Sequence, residues 1–145
     1  MTAPARTREE WGRLLAAVPP ELLTPLADRA IAAAAEFSVV RAPRVGTIVA
    51  QVREPLERRR FILGDVVAAV AEVRLDGTSG WAMRLGRETE AVLAQAVLDA
   101  ELAAEGVLSE AIGSLLTEVD ERQRRERART WAKLAPTIVE FEEVA

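Results

Sequence analysis

Apolar residues recur at helical spacing near both ends of the chain and crowd into β-branched runs in its middle, so a helical–sheet–helical order is predicted. Thr7 and Glu10 stand at capping-box spacing, and Trp11, Leu14, Leu15 and Val18 form an apolar stripe that Pro19 and Pro20 end. A second helix, with its start open between Pro20 and Pro25, continues through Leu22, Leu23, Leu26 and Ile31 into Ala30 to Ala35.

The period changes near Glu36. Phe37 to Ala42 and Thr47 to Arg53 flank Pro43-Arg44-Val45-Gly46, which predicts a β-hairpin turning at that proline and glycine. Phe61-Ile62-Leu63 follows, interrupted at Gly64-Asp65, and then a long strand from Val66 to Leu75. A reversal at Asp76 to Gly80 leads into Trp81, Met83 and Leu85, alternating with Ala82 and Arg84 as the far side of a second hairpin.

Helical spacing returns in Val92, Leu93, Ala96, Val97 and Ala100, predicting a helix from about Glu88 to Glu105 that stops near Gly106. Another helix carries Leu108, Ile112, Leu115, Leu116 and Val119. Its continuation from Asp120 to Arg129 has no apolar face, and Trp131 and Leu134 restore one. Ile138, Val139 and Phe141 predict a last strand that rejoins the sheet or pairs with another chain. The fold class expected is α+β: an antiparallel sheet built from hairpins and packed against N-terminal and C-terminal helices, in a single domain over residues 1–145.

Composition narrows the chemistry. Half of the 145 residues are hydrophobic, but aromatics are only 4%, so the core must be assembled from many small side chains. A net charge of −4 disfavours a nucleic-acid role, and no apolar run is long enough to span a bilayer, so a cytoplasmic protein is expected. Histidine, cysteine and tyrosine are all absent. That removes imidazole, thiolate and phenol, the groups best suited to acid–base or nucleophilic work near neutral pH, and predicts no metal site.

Among the remaining candidates, Arg58, Arg59 and Arg60, with Arg41, Arg44 and Arg53 across a paired strand, could gather guanidinium forks around the oxygens of a phosphate-like anion. A solvated edge or a subunit contact is the commoner use of such a cluster. Asp65 could orient one of those arginines or hold a metal-bound water, against the commoner role of a turn aspartate. Gly86-Arg87 opens the third helix and could cradle an anion. Asp120 to Arg129 reads as a solvated helix with internal ion pairs of little value each. Trp11, Trp81 and Trp131 are the large anchors of an aromatic-poor chain, and at least one is expected at a partner interface.

A longer series of short motifs adds to this reading. Arg41-Ala42-Pro43, Gly46 and Gln51-Val52-Arg53 are followed by Phe61-Ile62-Leu63-Gly64-Asp65 and Val73-Arg74-Leu75-Asp76-Gly77. Gly80-Trp81, Gly86-Arg87 and Ala96-Val97-Leu98-Asp99-Ala100 come next, with Arg8, Trp11 and Leu15-Ala16 before the series and Val139-Glu140-Phe141 after it. In order and spacing this resembles the PhnG family, the PhnG subunits of the bacterial carbon–phosphorus lyase system, over almost the whole chain.

The resemblance implies a partnership with PhnH, PhnI and PhnJ in a core complex, in two copies if that complex is symmetric, and with the ATPase-like PhnK and PhnL as further partners. It implies a part in exchanging the adenine of ATP for a phosphonate, giving a ribose 1-phosphonate 5-triphosphate. PhnI is the main catalytic subunit there, and the iron–sulfur cluster is expected only in PhnJ, with ATP and phosphonate as substrates of the complex. No catalytic residue is carried over from the family to a position of this sequence. The tail departs from the family pattern, with Glu142-Glu143-Val144-Ala145 after Phe141. A stand-alone module binding an anion or nucleotide through its arginines is the alternative.

Overall fold

A computed structural model describes residues 6–139. Helix α1 (Arg8–Leu15) begins on the predicted capping box: the Thr7 hydroxyl accepts from the Glu10 N–H, and the Glu10 carboxylate accepts from the Thr7 N–H. Helix α2 (Pro20–Ala33) starts with proline in its first turn, where a missing N–H costs no helical hydrogen bond. Three strands follow, β1 (Phe37–Arg53), β2 (Arg60–Leu75) and β3 (Thr78–Leu85), antiparallel in the order β1-β2-β3. Helices α3 (Thr89–Ala103) and α4 (Ser109–Leu134) and a short 3-10 turn (Ala135–Thr137) complete the described chain. This is the α+β arrangement of an antiparallel sheet with helices at either end of the sequence.

Three expectations are corrected. No reversal occurs at Pro43 to Gly46: β1 runs straight through, with register shifts between Val39 and Arg41 and between Arg41 and Arg44. Pro43 is tolerated because β1 is an edge strand, where a proline need not supply a ladder N–H. The real turn is Glu54 to Arg59, where Arg58 takes the positive φ of 55° that Gly46 does not need.

Nor does Gly64-Asp65 break β2. Gly64, at φ 148°, stays in the strand beside a register shift between Ala50 and Gln51, a conformation that favours glycine because it has no Cβ. The last strand is not formed at Ile138 and Val139, which follow the 3-10 turn without strand pairing; Phe141 lies outside the described residues. By contrast, the second hairpin forms with Asp76 and Gly77 at φ 46° and 80°, both positive as a tight two-residue hairpin turn requires.

The core is organised around α3. Most of its Ala, Val and Leu positions are buried, and Gln95, Asp99 and Glu101 are buried with them. One side of α3 lies on β3 and on the Ala68–Leu75 half of β2, where Ala69, Ala71, Val73 and Leu75 point inward at every second residue. Its other sides meet α2, α1 and α4. Small residues let these layers approach closely: a Cβ on Gly80 would fall 2.0 Å from the Ala96 carbonyl oxygen, so β3 and α3 touch backbone to backbone there.

Two segments leave this core. Strand β3 ends opposite Ala68, so β2 from Arg60 to Val67 pairs only with the distal half of β1. At about 3.3 Å per residue this two-stranded arm reaches roughly 25 Å past the sheet. The second half of α4 also leaves it: Ile112, Leu116 and Val119 are buried, but beyond Asp120 the helix is almost wholly exposed. Among the described residues no helix is long and apolar enough to cross a membrane.

Candidate functional site

The polar centre of the molecule is Asp99, on the face of α3 that meets α1 and β3. Its side chain is almost fully buried and accepts four hydrogen bonds. Arg8 donates from Nε to Oδ1 (3.2 Å) and from Nη2 to Oδ2 (2.6 Å), a bidentate fork. Trp11 donates its indole N–H to Oδ1 at 2.7 Å, and the Trp81 backbone N–H reaches Oδ2 at 2.9 Å. Arg8 also donates to the Ser79 carbonyl. The Asp99 carboxylate raises the Arg8 pKa, first by accepting its hydrogen bonds, against a smaller opposing effect of burial.

This brace explains why Arg8, Trp11, Gly80-Trp81 and Asp99, scattered along the sequence, belong together. Gly80 allows β3 to press onto α3, which sets the Trp81 N–H on the carboxylate. Trp11 is therefore an internal strut, packed against the core with its polar edge satisfied.

Beside the brace a groove of about 710 Å³ opens between α1, β3 and α3. Trp81, half exposed, and Met83 form its apolar wall, Arg8 and Arg13 its cationic rim, and Gln95 is among its lining residues. Gln95 is buried, and its Oε1 has no hydrogen-bond partner among the described residues. Such an orphaned acceptor costs free energy unless a donor arrives.

The arginine candidates divide. Arg53 and Arg60 stand directly opposite each other at the end of the arm and line a cleft of about 260 Å³ with Gln51 and Val52, while Arg58 sits in the adjoining turn. Arg41 is twelve positions away along β1, opposite Glu72, 3.9 Å from its carboxylate. Asp65 faces Val49 midway along the arm, with no arginine at ion-pair distance among the described residues. Arg87 lies exposed in the loop between β3 and α3, outside the helix it was expected to open; the preceding Gly86 N–H donates to the Val67 carbonyl at the foot of the arm. Trp131 is 63% exposed on the outlying part of α4, beside Leu134.

Three buried polar side chains carry structural roles that the sequence alone did not reveal. Arg84 donates to the Leu15 and Val18 carbonyls past the end of α1 and to Glu88, tying β3 to that helix. Glu101 accepts from the Leu108 N–H, and Gly106 leaves room for that carboxylate. Asp99 is the third. Alternation in β3 and the helical run in α3 suggest burial at these places, but only the contacts reveal which charges are paired.

Among the described residues, no group of three or more His, Cys, Asp or Glu side chains could hold a metal ion. Fold and site thus define an α+β protein whose buried charges brace its own elements and whose groove and outlying arm carry apolar and cationic side chains. The chain belongs to the PhnG family: the family model described as phosphonate metabolism protein PhnG matches residues 6–145. Membership places it in phosphonate metabolism and implies a part in a phosphonate metabolism complex.

Proposed function

We propose that this chain is a supporting subunit of the carbon–phosphorus lyase core complex, a single domain acting in the cytoplasm with PhnI, and with PhnH and PhnJ. In that complex the adenine of ATP is exchanged for a phosphonate, giving a ribose 1-phosphonate 5-triphosphate. The observation that carries the reading is the family match across residues 6–145. The lack of histidine, cysteine and tyrosine fits it: reactive groups come from a partner, and the iron–sulfur chemistry belongs to PhnJ. In this reading Arg53, Arg58 and Arg60 meet partner or ligand anions at the end of the arm, with Arg41, Asp65 and Arg87 nearer its foot. Trp81 and Trp131 are the aromatic contacts.

Co-expression of the tagged chain with PhnH, PhnI and PhnJ is expected to yield a stoichiometric complex that releases adenine from ATP in the presence of a phosphonate. A monomer that never retains PhnI, or turnover by the isolated chain, contradicts this. One observation favours a second reading, an anion-binding module: Arg53 and Arg60 face each other with no carboxylate within ion-pair distance among the described residues. Tight binding of ATP to the isolated chain by calorimetry would select it.

A further inference from the structure

We infer that the arm formed by residues 46–67 docks an acidic, extended segment of a different polypeptide, which adds as a strand to the free edge of β1. This rests on the subunit reading and names the surface that such a subunit uses. A two-stranded ribbon without a third strand or a helix behind it is marginal in water, and among the described residues this one has neither beyond Ala68. It nevertheless exposes large apolar side chains: Val49, Phe61, Ile62 and Leu63 along its length, and Leu56, 92% exposed, at its turn. Phe61 and Ile62, consecutive in the regular register before the shift at Leu63, point to opposite faces, so a neighbour must wrap the arm to cover both.

The edge itself is unequally guarded. Pro43 and two register shifts blunt β1 up to Arg44, the usual devices against unwanted strand pairing. From Val45 to Ala50 the register is unbroken, β-branched residues dominate, and no proline intervenes. That stretch offers its outer N–H and C=O groups for strand addition.

Charge selects the occupant. Strand β1 carries Arg41, Arg44 and Arg53 and no acid. Residues 37–75 hold seven arginines against four acids, a charge of +3; since the whole chain is −4, the remainder carries −7. Arg53 directly opposite Arg60 is a like-charge pair, unfavourable in the free chain and relieved by a carboxylate laid across it. A second copy is the poorer occupant, because pairing β1 with β1 offers its arginines no carboxylate.

The test uses the full chain co-expressed with PhnH, PhnI and PhnJ, with three readouts. Ile62→Glu and the pair Arg53→Glu/Arg60→Glu should each reduce retention of the other subunits at least about tenfold, while circular dichroism and melting of the isolated variants stay as in wild type. Val107→Lys, exposed but outside the arm, should retain them fully. Normal assembly of both arm variants overturns the inference. Amide exchange at Thr47–Gln51 and Ile62–Val66 should be fast in the isolated chain and at least about tenfold slower in the complex. Fast exchange in both overturns it. If the wild type does not assemble with these subunits, the subunit reading fails, and the isolated chain then decides the arm. An arm already protected there, or a dimer that Ile62→Glu dissociates, overturns the inference; an unprotected arm on a monomer supports it only if an added Glu-rich peptide slows its amide exchange, and overturns it if exchange stays fast.

Discussion

Helix α3 and the arm use apolar residues in opposite ways. In α3 alanine is the commonest apolar residue, six elements of the fold touch the helix, and most of the apolar side chains are buried. Along the arm they are Val49, Leu56, Phe61, Ile62 and Leu63, larger on average and left in water. A chain that needed burial only for its own stability would place its bulkiest groups inside, since each fully buried Leu, Ile or Phe contributes about 1.5–3 kcal/mol. Here small residues let helix and sheet touch, and much of the bulk is displayed. The difference separates what holds the fold from what is held out to a partner.

The largest expected effect strikes the brace on α3. Asp99→Ala leaves the Trp11 indole N–H and the Trp81 backbone N–H without their acceptor and deprives Arg8 of its counter-charge. A loss of about 3 kcal/mol is expected from urea unfolding, below the extreme for a buried pair because half of the Arg8 side chain is exposed. Asp99→Asn should recover little of it. Its amide can accept at one oxygen only, and the NH₂ group would then face donors. A loss under about 1 kcal/mol in both variants would mean that the carboxylate is not what joins α1, β3 and α3.

Much of this contrast was legible in the sequence, and its errors share a cause. The capping box at Thr7 and Glu10, the Asp76-Gly77 reversal and the third helix form as their local patterns dictate, because each is decided by neighbours within a few residues. The turn was misplaced to Pro43-Gly46 because proline and glycine are strong turn signals, whereas an edge strand and a register shift accept both; the true turn is Glu54 to Arg59. Trp11 and Asp99, eighty-eight positions apart, were legible only as pieces of a family resemblance. Their partnership depends on how α1 crosses α3, which no local spacing encodes.

A smaller effect is expected on the exposed side of the contrast. Replacing Val49 or Ile62 by Thr keeps β-branched geometry while removing apolar surface that the isolated fold does not bury. Unfolding free energies from urea titration should change by less than about 0.5 kcal/mol. A loss above about 1.5 kcal/mol for either would show that the arm packs against its own chain, and the two regions would then not differ in kind.

The smallest effect is confined to the turn that closes the arm. Glu54 accepts backbone hydrogen bonds from Leu56 (2.9 Å), Glu57 and Arg59, and the bond from Leu56 is the main reason its pKa lies below the ordinary glutamate range. Because the folded value is the lower one, the contribution to the turn is fully present above the unfolded pKa of about 4.3 and is lost as pH falls through the folded value. Glu54 is partly exposed and its hydrogen bonds stay within the turn, so the change is local. Amide exchange at Leu56, Glu57 and Arg59, corrected for intrinsic rates, should therefore accelerate as pH falls from about 6 to about 3, while α3 amides keep their protection. In Glu54→Gln the same amides should show no such step. If the step persists there, another group shapes the turn, and the arm's end is not organised by the carboxylate that its backbone surrounds.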